Sequence, residues 1–418
     1  MTDRNPAVLG GSPAFPDGLR LLRPSLPAAA DVLPGIETAF ASGMLTKGAA
    51  LRDYEERLAE HLGVAHAVAV SSCTAGLMLV FQALAEADGV RPAPTGEPRA
   101  TAQVARPRVL LPSFTFMATA MAAVWAGLEP VFCDIDRDTW NLSPESVEAT
   151  LADPQRGFGA ALVVPVHIFG ATADTAAFER IGRTHGVTIV YDAAHGFGAL
   201  HDGRPVGREG YAQCFSTSPT KLLITAEGGV VATGDDDLAA RLVAGRDYGN
   251  PGDYDGRFCG LNARLSELHA FLGLASLDKL EGEAVRRNEL AADYRTLLSE
   301  TPGISFQRVA TGDRSSYKDF SVRIGGEFGL TRDELAVALR AEGIDTRAYY
   351  VPPVHRMKAF AAFTDACEHL LPETAALCDQ VLTLPCYGSM TGRDVAGVSA
   401  SIAAAHNHAA AVHALTRR

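Results

Sequence analysis

The sequence predicts an α/β protein of two domains, and three observations carry that prediction. The 418 residues exceed the roughly 250 to 300 at which a single core stops growing. From about residue 66 short β-branched runs alternate with helical patterns, the signature of crossover units on a largely parallel sheet. Those runs are also too uniformly apolar to leave one face wet, so helices must cover both sides of the sheet.

Taken in order, residues 66–70 (His-Ala-Val-Ala-Val) read as a strand, 71–76 as a tight turn of small residues, and Leu77, Met78, Val80, Phe81 and Leu84 as the buried stripe of a helix. Residues 89–108 carry too many Pro and Gly for an element and are expected to form a mobile surface insertion. Residues 109–111 form a strand leading into a helix over 114–125, and 130–132, 161–164 and 187–191 are further strands. A long helical pattern over 262–300 repeats Leu265, Leu268, Phe271, Leu272, Leu274 and Leu277, and the change of domain is placed in it. The expected division is a large domain of residues 1–285, N-terminal segment included, and a smaller C-terminal α/β domain of 286–418. In the second, 319–324 and 346–351 are predicted strands, and Thr331-Arg-Asp-Glu334 is a capping-box start to a helix.

Composition narrows the function. A formal charge of -12 opposes a nucleic-acid groove, which needs a clustered positive field. No stretch approaches the roughly 20 apolar residues of a membrane helix, and Met1-Thr-Asp-Arg-Asn-Pro6 lacks the apolar core of a secretion signal. Seven dispersed cysteines without a C-x-x-C pair suit reduced thiols, so a cytoplasmic enzyme of small molecules is expected. His406, His408 and His413 fall on an Ala-rich helical tail with no carboxylate or cysteine at ligand spacing, so no metal site is expected.

Of 37 basic residues only five are lysines, which leaves few amines for covalent chemistry. Lys221 sits in a loop of small and hydroxylated residues ending in Gly228-Gly229. Alone it would pass for a solvated charge. Three features give it company. Asp192 ends a strand at the carboxyl edge of the sheet, where open α/β sheets place ligands; a carboxylate there can hold a pyridine nitrogen protonated and make the ring an electron sink. The turn Ser71-Ser-Cys-Thr-Ala-Gly76 opens a helix whose free N–H groups suit a phosphate. Pro112-Ser-Phe-Thr-Phe116 puts aromatic rings past another strand end, where one can lie on a cofactor ring. The G-x-G-x-x-G and G-K-[ST] patterns are absent from the turn.

With those motifs together, the chain resembles the DegT/DnrJ/StrS family of sugar aminotransferases, from Gly10-Gly-Ser-Pro-Ala14 to Leu384-Pro385. The resemblance implies the aspartate-aminotransferase-like fold (fold-type I), with a mostly parallel seven-stranded sheet between helices, and the cofactor pyridoxal 5'-phosphate (PLP), which becomes pyridoxamine 5'-phosphate in the half-reaction. Ser72-Cys-Thr-Ala-Gly-Leu77 matches the family's phosphate-binding motif, which assigns Ser72, Cys73, Thr74 and Ala75 to the phosphate. Phe116 is implied as the ring stack, Asp192 as the partner of the pyridine nitrogen, His195 as a contact of the ring hydroxyl, Ser216 as a further phosphate ligand and Lys221 as the Schiff-base lysine. Asn262, in the segment Gly260-Leu-Asn-Ala-Arg264, matches an asparagine that reaches the phosphate held by a neighbouring subunit, so a homodimer with shared active sites is implied. Cys73 stands where the family usually has glycine, and Thr217, Ser218, Leu222 and Ala226 also depart from it.

The implied reaction moves nitrogen from glutamate to the keto carbon of a nucleotide-linked (TDP) 4-keto-6-deoxyhexose, at C4, in deoxyaminosugar biosynthesis. Tyr350, His355 and Arg264 are the candidates for the substrate side. Amination at C3 or of a cyclitol ketone, an aminoshikimate-type PLP dehydratase, and a non-catalytic PLP-binding regulator remain the alternatives.

Overall fold

A computed structural model describes residues 4–87, 107–364 and 367–416; the insertion expected over 89–108 lies outside them up to residue 106. The helices and strands run α1 (Ala29–Ser42), α2 (Ala49–Leu62), β1 (His66–Val70), α3 (Cys73–Ala87), β2 (Arg108–Pro112), α4 (Ala118–Trp125), β3 (Glu129–Cys133), α5 (Pro144–Ala152), β4 (Ala160–Val163), α6 (Thr175–His185) and β5 (Thr188–Asp192). A small hairpin, β6 (Leu200–His201) and β7 (Arg204–Pro205), precedes β8 (Ala212–Ser216), β9 (Gly229–Thr233), α7 (Asp236–Gly245), α8 (Glu267–Leu277) and α9 (Leu280–Leu298). The chain ends with β10 (Ile304–Phe306), β11 (Phe320–Ile324), α10 (Arg332–Ala341), α11 (Pro372–Gln380), β12 (Val381–Leu384), α12 (Gly392–Asn407) and α13 (Ala409–Thr416).

The central sheet has seven strands in the order β1-β9-β8-β5-β4-β2-β3. β9 pairs antiparallel with both neighbours and every other pairing is parallel. Strand burial explains the uniform apolarity: Val190, Cys214, Val230 and Val231 are wholly enclosed, with α3 and α4 packed on one side and α2 on the other. A second core gathers around the three-stranded sheet β10-β11-β12, where Tyr294, Phe320, Leu335 and Val398 are buried.

Four expectations are corrected. The turn at 71–76 is shorter, because α3 already starts at Cys73, with the Ser72 hydroxyl accepting from the Ala75 amide at 3.1 Å. The helix expected from residue 114 starts at Ala118, since tertiary bonds claim the backbone before it: the Ser113 carbonyl accepts from Val354 N–H at 3.0 Å. The pattern over 262–300 divides into α8 and α9, while Asn262 and Ser266 bridge to Asp247 and Thr46. Residues 346–351 do not form a strand; only Arg347 bridges Thr383, and the chain then turns so that Tyr350 packs edge-on against Phe114, ring centroids 5.4 Å apart.

The residues before α1 pack on the second core. Leu19 is buried there and bridges Ile344, and the enclosed Glu342 carboxylate accepts from the Ala7 and Ala14 amides, each at 2.8 Å. A second enclosed carboxylate organises the sheet side. α2 begins after Gly48, which has no side chain to cap it, and Glu267 at the start of α8 accepts from Gly48, Ala50 and Leu51 N–H at 2.9, 3.0 and 3.2 Å. A charge-assisted bond contributes about 1.5–3 kcal/mol, so Glu267→Ala should lower unfolding stability by roughly 3 kcal/mol. Denaturant titration checks this; a loss below about 1 kcal/mol would show the carboxylate to be dispensable.

Candidate active site

Three strand ends of the first core open toward the second and leave a cavity of about 400 Å³. β5 delivers Asp192 to its floor and β8 delivers Ser216 beside it. The following loop is pinned so that Lys221 enters the cavity: Thr217 N–H donates to Gly228 O at 3.0 Å, Thr225 N–H to Thr217 O at 2.8 Å, and the Thr217 and Thr225 hydroxyls meet at 2.6 Å. Ser72, Cys73 and Thr74 come from the start of α3, Phe116 from the loop after β2, and Tyr350 from an aromatic cluster with Phe114 and Phe169. A larger hollow, about 700 Å³ beside β10, holds neither the lysine nor the buried acid.

Asp192 is 4% exposed. Its carboxylate accepts from Thr119 Oγ1 at 2.7 Å and from Ala194 N–H at 3.0 Å. Burial raises its pKa and these two bonds oppose the shift, so the group is a hydrogen-bonded acid with no cation in contact among the described residues. Lys221 is the complement: among the described residues its amine makes no hydrogen bond or ion pair, and burial, followed by repulsion from Lys318, lowers its pKa to about 8. The His195 Nδ1 accepts from Phe169 N–H at 3.1 Å. Burial first, then Lys221 and Lys318, push the imidazole well below its ordinary pKa, which leaves a neutral ring whose Nε2–H is a donor. Cys73 turns its side chain aside, donating to the Cys214 carbonyl at 3.3 Å, so its bulk, where a glycine was usual, is taken up behind the helix start.

Other named residues lie elsewhere. Ala75 is buried one position deeper in α3 and is not on the cavity wall. Asn262 bridges Asp247, Arg264 is ion-paired to Asp247 and lies over the Tyr248 ring at 5.4 Å, and neither lines the cavity. His355 is corrected as a cavity residue: its Nδ1 meets Ser113 Oγ at 2.6 Å and its Nε2 meets Glu368 at 2.7 Å, so both ring nitrogens are engaged away from the wall. The sequence reading missed Lys318, Asp319, Arg347 and Tyr349, all on the wall. One signal was available, since Lys318 is among only five lysines and is followed directly by an acid.

Residues 29–403 match the model of the DegT/DnrJ/EryC1/StrS aminotransferase family. The chain belongs to this family. It is an aminotransferase of the PLP-dependent class. The dTDP-4-amino-4,6-dideoxy-D-glucose transaminase of Escherichia coli is 29% identical to it, over 87% of this chain and 92% of that one. The spore coat polysaccharide biosynthesis protein SpsC of Bacillus subtilis is 31% identical over 85% and 89%. Among solved structures, DesI in the presence of its TDP-sugar product aligns with a TM-score of 0.86 at 34% identity, covering 99% of each chain.

The residues present in this family member fit PLP. An unpaired amine can bond an aldehyde, an acid without a cation in contact can take a pyridinium, and the free amides opening α3 beside two serine hydroxyls can take a phosphate. The backbone is cleared for that phosphate turn as well: a Cβ at Gly229 would lie 2.4 Å from Cys73 N. Gly229→Ala should therefore displace the start of α3 and weaken PLP binding about tenfold or more, read by equilibrium dialysis; unchanged affinity would contradict the close approach.

Proposed function

We propose that the protein transfers an amino group from glutamate to C4 of a TDP-linked 4-keto-6-deoxyhexose, using PLP bound at Lys221. The observation that carries the reading is the convergence of Lys221, Asp192 and the first turn of α3 on one cavity. When bound, PLP supplies an aldehyde for the amine and a ring that delocalises negative charge from the reacting carbon. Asp192 holds the ring nitrogen protonated, the His195 Nε2–H donates to the ring oxygen, and Ser216, Ser72 and Thr74 with the α3 amides hold the phosphate. Phe116, more than half exposed at the cavity wall, covers the ring face. Lys221 takes the proton from the donor's carbon and returns one to the acceptor's carbon. Asn262 and Arg264, placed outside this chain's own cavity, are assigned to the partner's site in a homodimer.

The sugar assignment is supported by likeness to the Escherichia coli transaminase, whose name specifies a dTDP-linked 4-amino sugar, and to DesI, solved with a TDP-sugar product. Tyr350, buried at the cavity wall beside Phe114, is the residue assigned to the sugar ring. The test is the visible absorbance of the PLP-loaded protein, mixed first with glutamate and then with TDP-4-keto-6-deoxyglucose, its 3-keto isomer and a cyclitol ketone. Bleaching by glutamate and recovery only with the 4-keto sugar is the expected result. Recovery with another ketone alone reassigns the acceptor, and no response to glutamate removes it as donor.

The same site predicts a pH dependence. Lys221 titrates at about 8 and reacts only as the neutral amine. Capture of added PLP by cofactor-free protein should thus rise about tenfold per pH unit below that value and level off above it. A rate flat between pH 6 and 8 would contradict a protonated amine in that range.

A further inference from the structure

The cavity holds a second amine, itself buried, that the reaction as described does not use. Lys318 is 6% exposed and Asp319 equally so. The Lys318 ammonium donates to both Asp319 carboxylate oxygens, at 3.0 and 2.8 Å, and lies 5.5 Å from the centre of the Tyr349 ring. The pair stands at the entry to β11, and its backbone is fixed from two sides. Arg287, itself buried, donates to the Tyr317 and Lys318 carbonyls at 3.1 and 3.0 Å, while Lys318 N–H donates to Phe169 O at 3.0 Å. Enclosing two charges costs several kcal/mol per ion before their attraction is counted, so stability alone is a poor reason to keep them beside a reactive lysine. Two amines share one cavity and their surroundings divide them: among the described residues Lys318 has a carboxylate in contact and Lys221 has none.

We propose that the Lys318–Asp319 pair is a positioning element of the transamination site, a buried ion pair on the wall of the cavity that Lys221 enters, acting electrostatically on that amine. This rests on the reading of Lys221 as the PLP-binding amine. The charged and titratable groups facing Lys221 are Lys318 and Asp319 from the start of β11, Asp192 and His195 from the end of β5 and the turn after it, Cys73 from α3, and Glu227 from its own loop, with Arg347 farther along the wall. After burial, Lys318 has the largest influence on Lys221, and Asp319 and Asp192 pull in the opposite direction. The two amines come from distant parts of the chain, Lys221 from the loop after β8 and Lys318 from the entry to β11.

The experiment measures the pH midpoint for capture of added PLP by cofactor-free protein, from the visible absorbance, with borohydride reduction and peptide mapping to locate the adduct. Lys318→Met should raise the midpoint by about one pH unit, and Asp319→Asn, which leaves the cation uncompensated, should lower it by a similar amount. Lys318→Arg should keep the wild-type midpoint. Because each single change leaves one charge buried without a partner, the double variant Lys318→Met/Asp319→Asn is measured beside them, and its midpoint should lie between those of the two singles. Opposite shifts from neighbouring residues are not produced by a merely structural role. Midpoints that coincide in all folded variants, or that move in one direction for both singles, overturn the proposal. An adduct mapped to a lysine other than 221 in the wild type overturns the PLP reading itself, and the pair's role with it.

Discussion

Replacing Lys221 by alanine should abolish turnover, by at least about a thousandfold, and leave the protein folded. Acid–base catalysis by one positioned side chain contributes about 10²–10⁴ in rate, and in the proposed function the same amine also anchors the cofactor. The fold should survive because the amine has no hydrogen-bonding partner among the described residues, so truncation strands no buried group. The loop's shape comes from Thr217, Thr225 and Gly228, which the substitution does not touch. Single-turnover kinetics with glutamate and thermal unfolding check both halves. Lys221→Arg is the control: it keeps a cation but cannot bond the aldehyde, and it should be as inactive as the alanine variant. Retention of more than a tenth of wild-type turnover in either would remove Lys221 from the chemistry.

Asp192→Asn should reduce turnover by roughly a hundred- to thousandfold, the scale for losing one preorganised electrostatic partner of a reacting group. The amide matches the carboxylate in size, and its oxygen can still accept from the Thr119 hydroxyl or the Ala194 amide, now 2.7 and 3.0 Å from the carboxylate. Packing is therefore preserved while the negative charge is lost. Without that charge the pyridine nitrogen is no longer held protonated, and the ring loses most of its capacity to accept electrons. The effect should appear in kcat, with PLP affinity changed much less. A loss under tenfold would place Asp192 away from the ring nitrogen. Thr119→Val, which removes one of the two bonds that hold the carboxylate, should act in the same direction and less strongly.

The fold class was legible because burial on both faces of a parallel sheet leaves a local trace: uninterrupted apolar runs at β1, β2, β4 and β5, with helical stripes between them. The seven-stranded sheet came from the resemblance. Local pattern failed where distant contacts overrule it. Residues 114–117 have helical periodicity, yet the helix begins only at Ala118, after Ser113 has been tied to the 354–355 segment. Residues 346–351 have strand composition, yet the aromatic packing of Tyr350 on Phe114 bends them across the cavity. Likewise nothing near residue 342 announces that Glu342 will gather the amides of Ala7 and Ala14 and carry the N-terminal segment onto the second core.

By itself the sequence determined which groups this protein has for covalent and acid–base work: few lysines, one of them in a small-residue loop, an acid at a strand end, and a helix opened by serines. Those are properties of residue type and short spacing, which the chain carries before it folds. Only the tertiary structure decided which of them meet. It brought Lys221, Asp192, Lys318 and Asp319 to one cavity and turned His355 to Ser113 and Glu368. Charge and burial at a point in space depend on segments a hundred residues apart, and no local pattern encodes that distance.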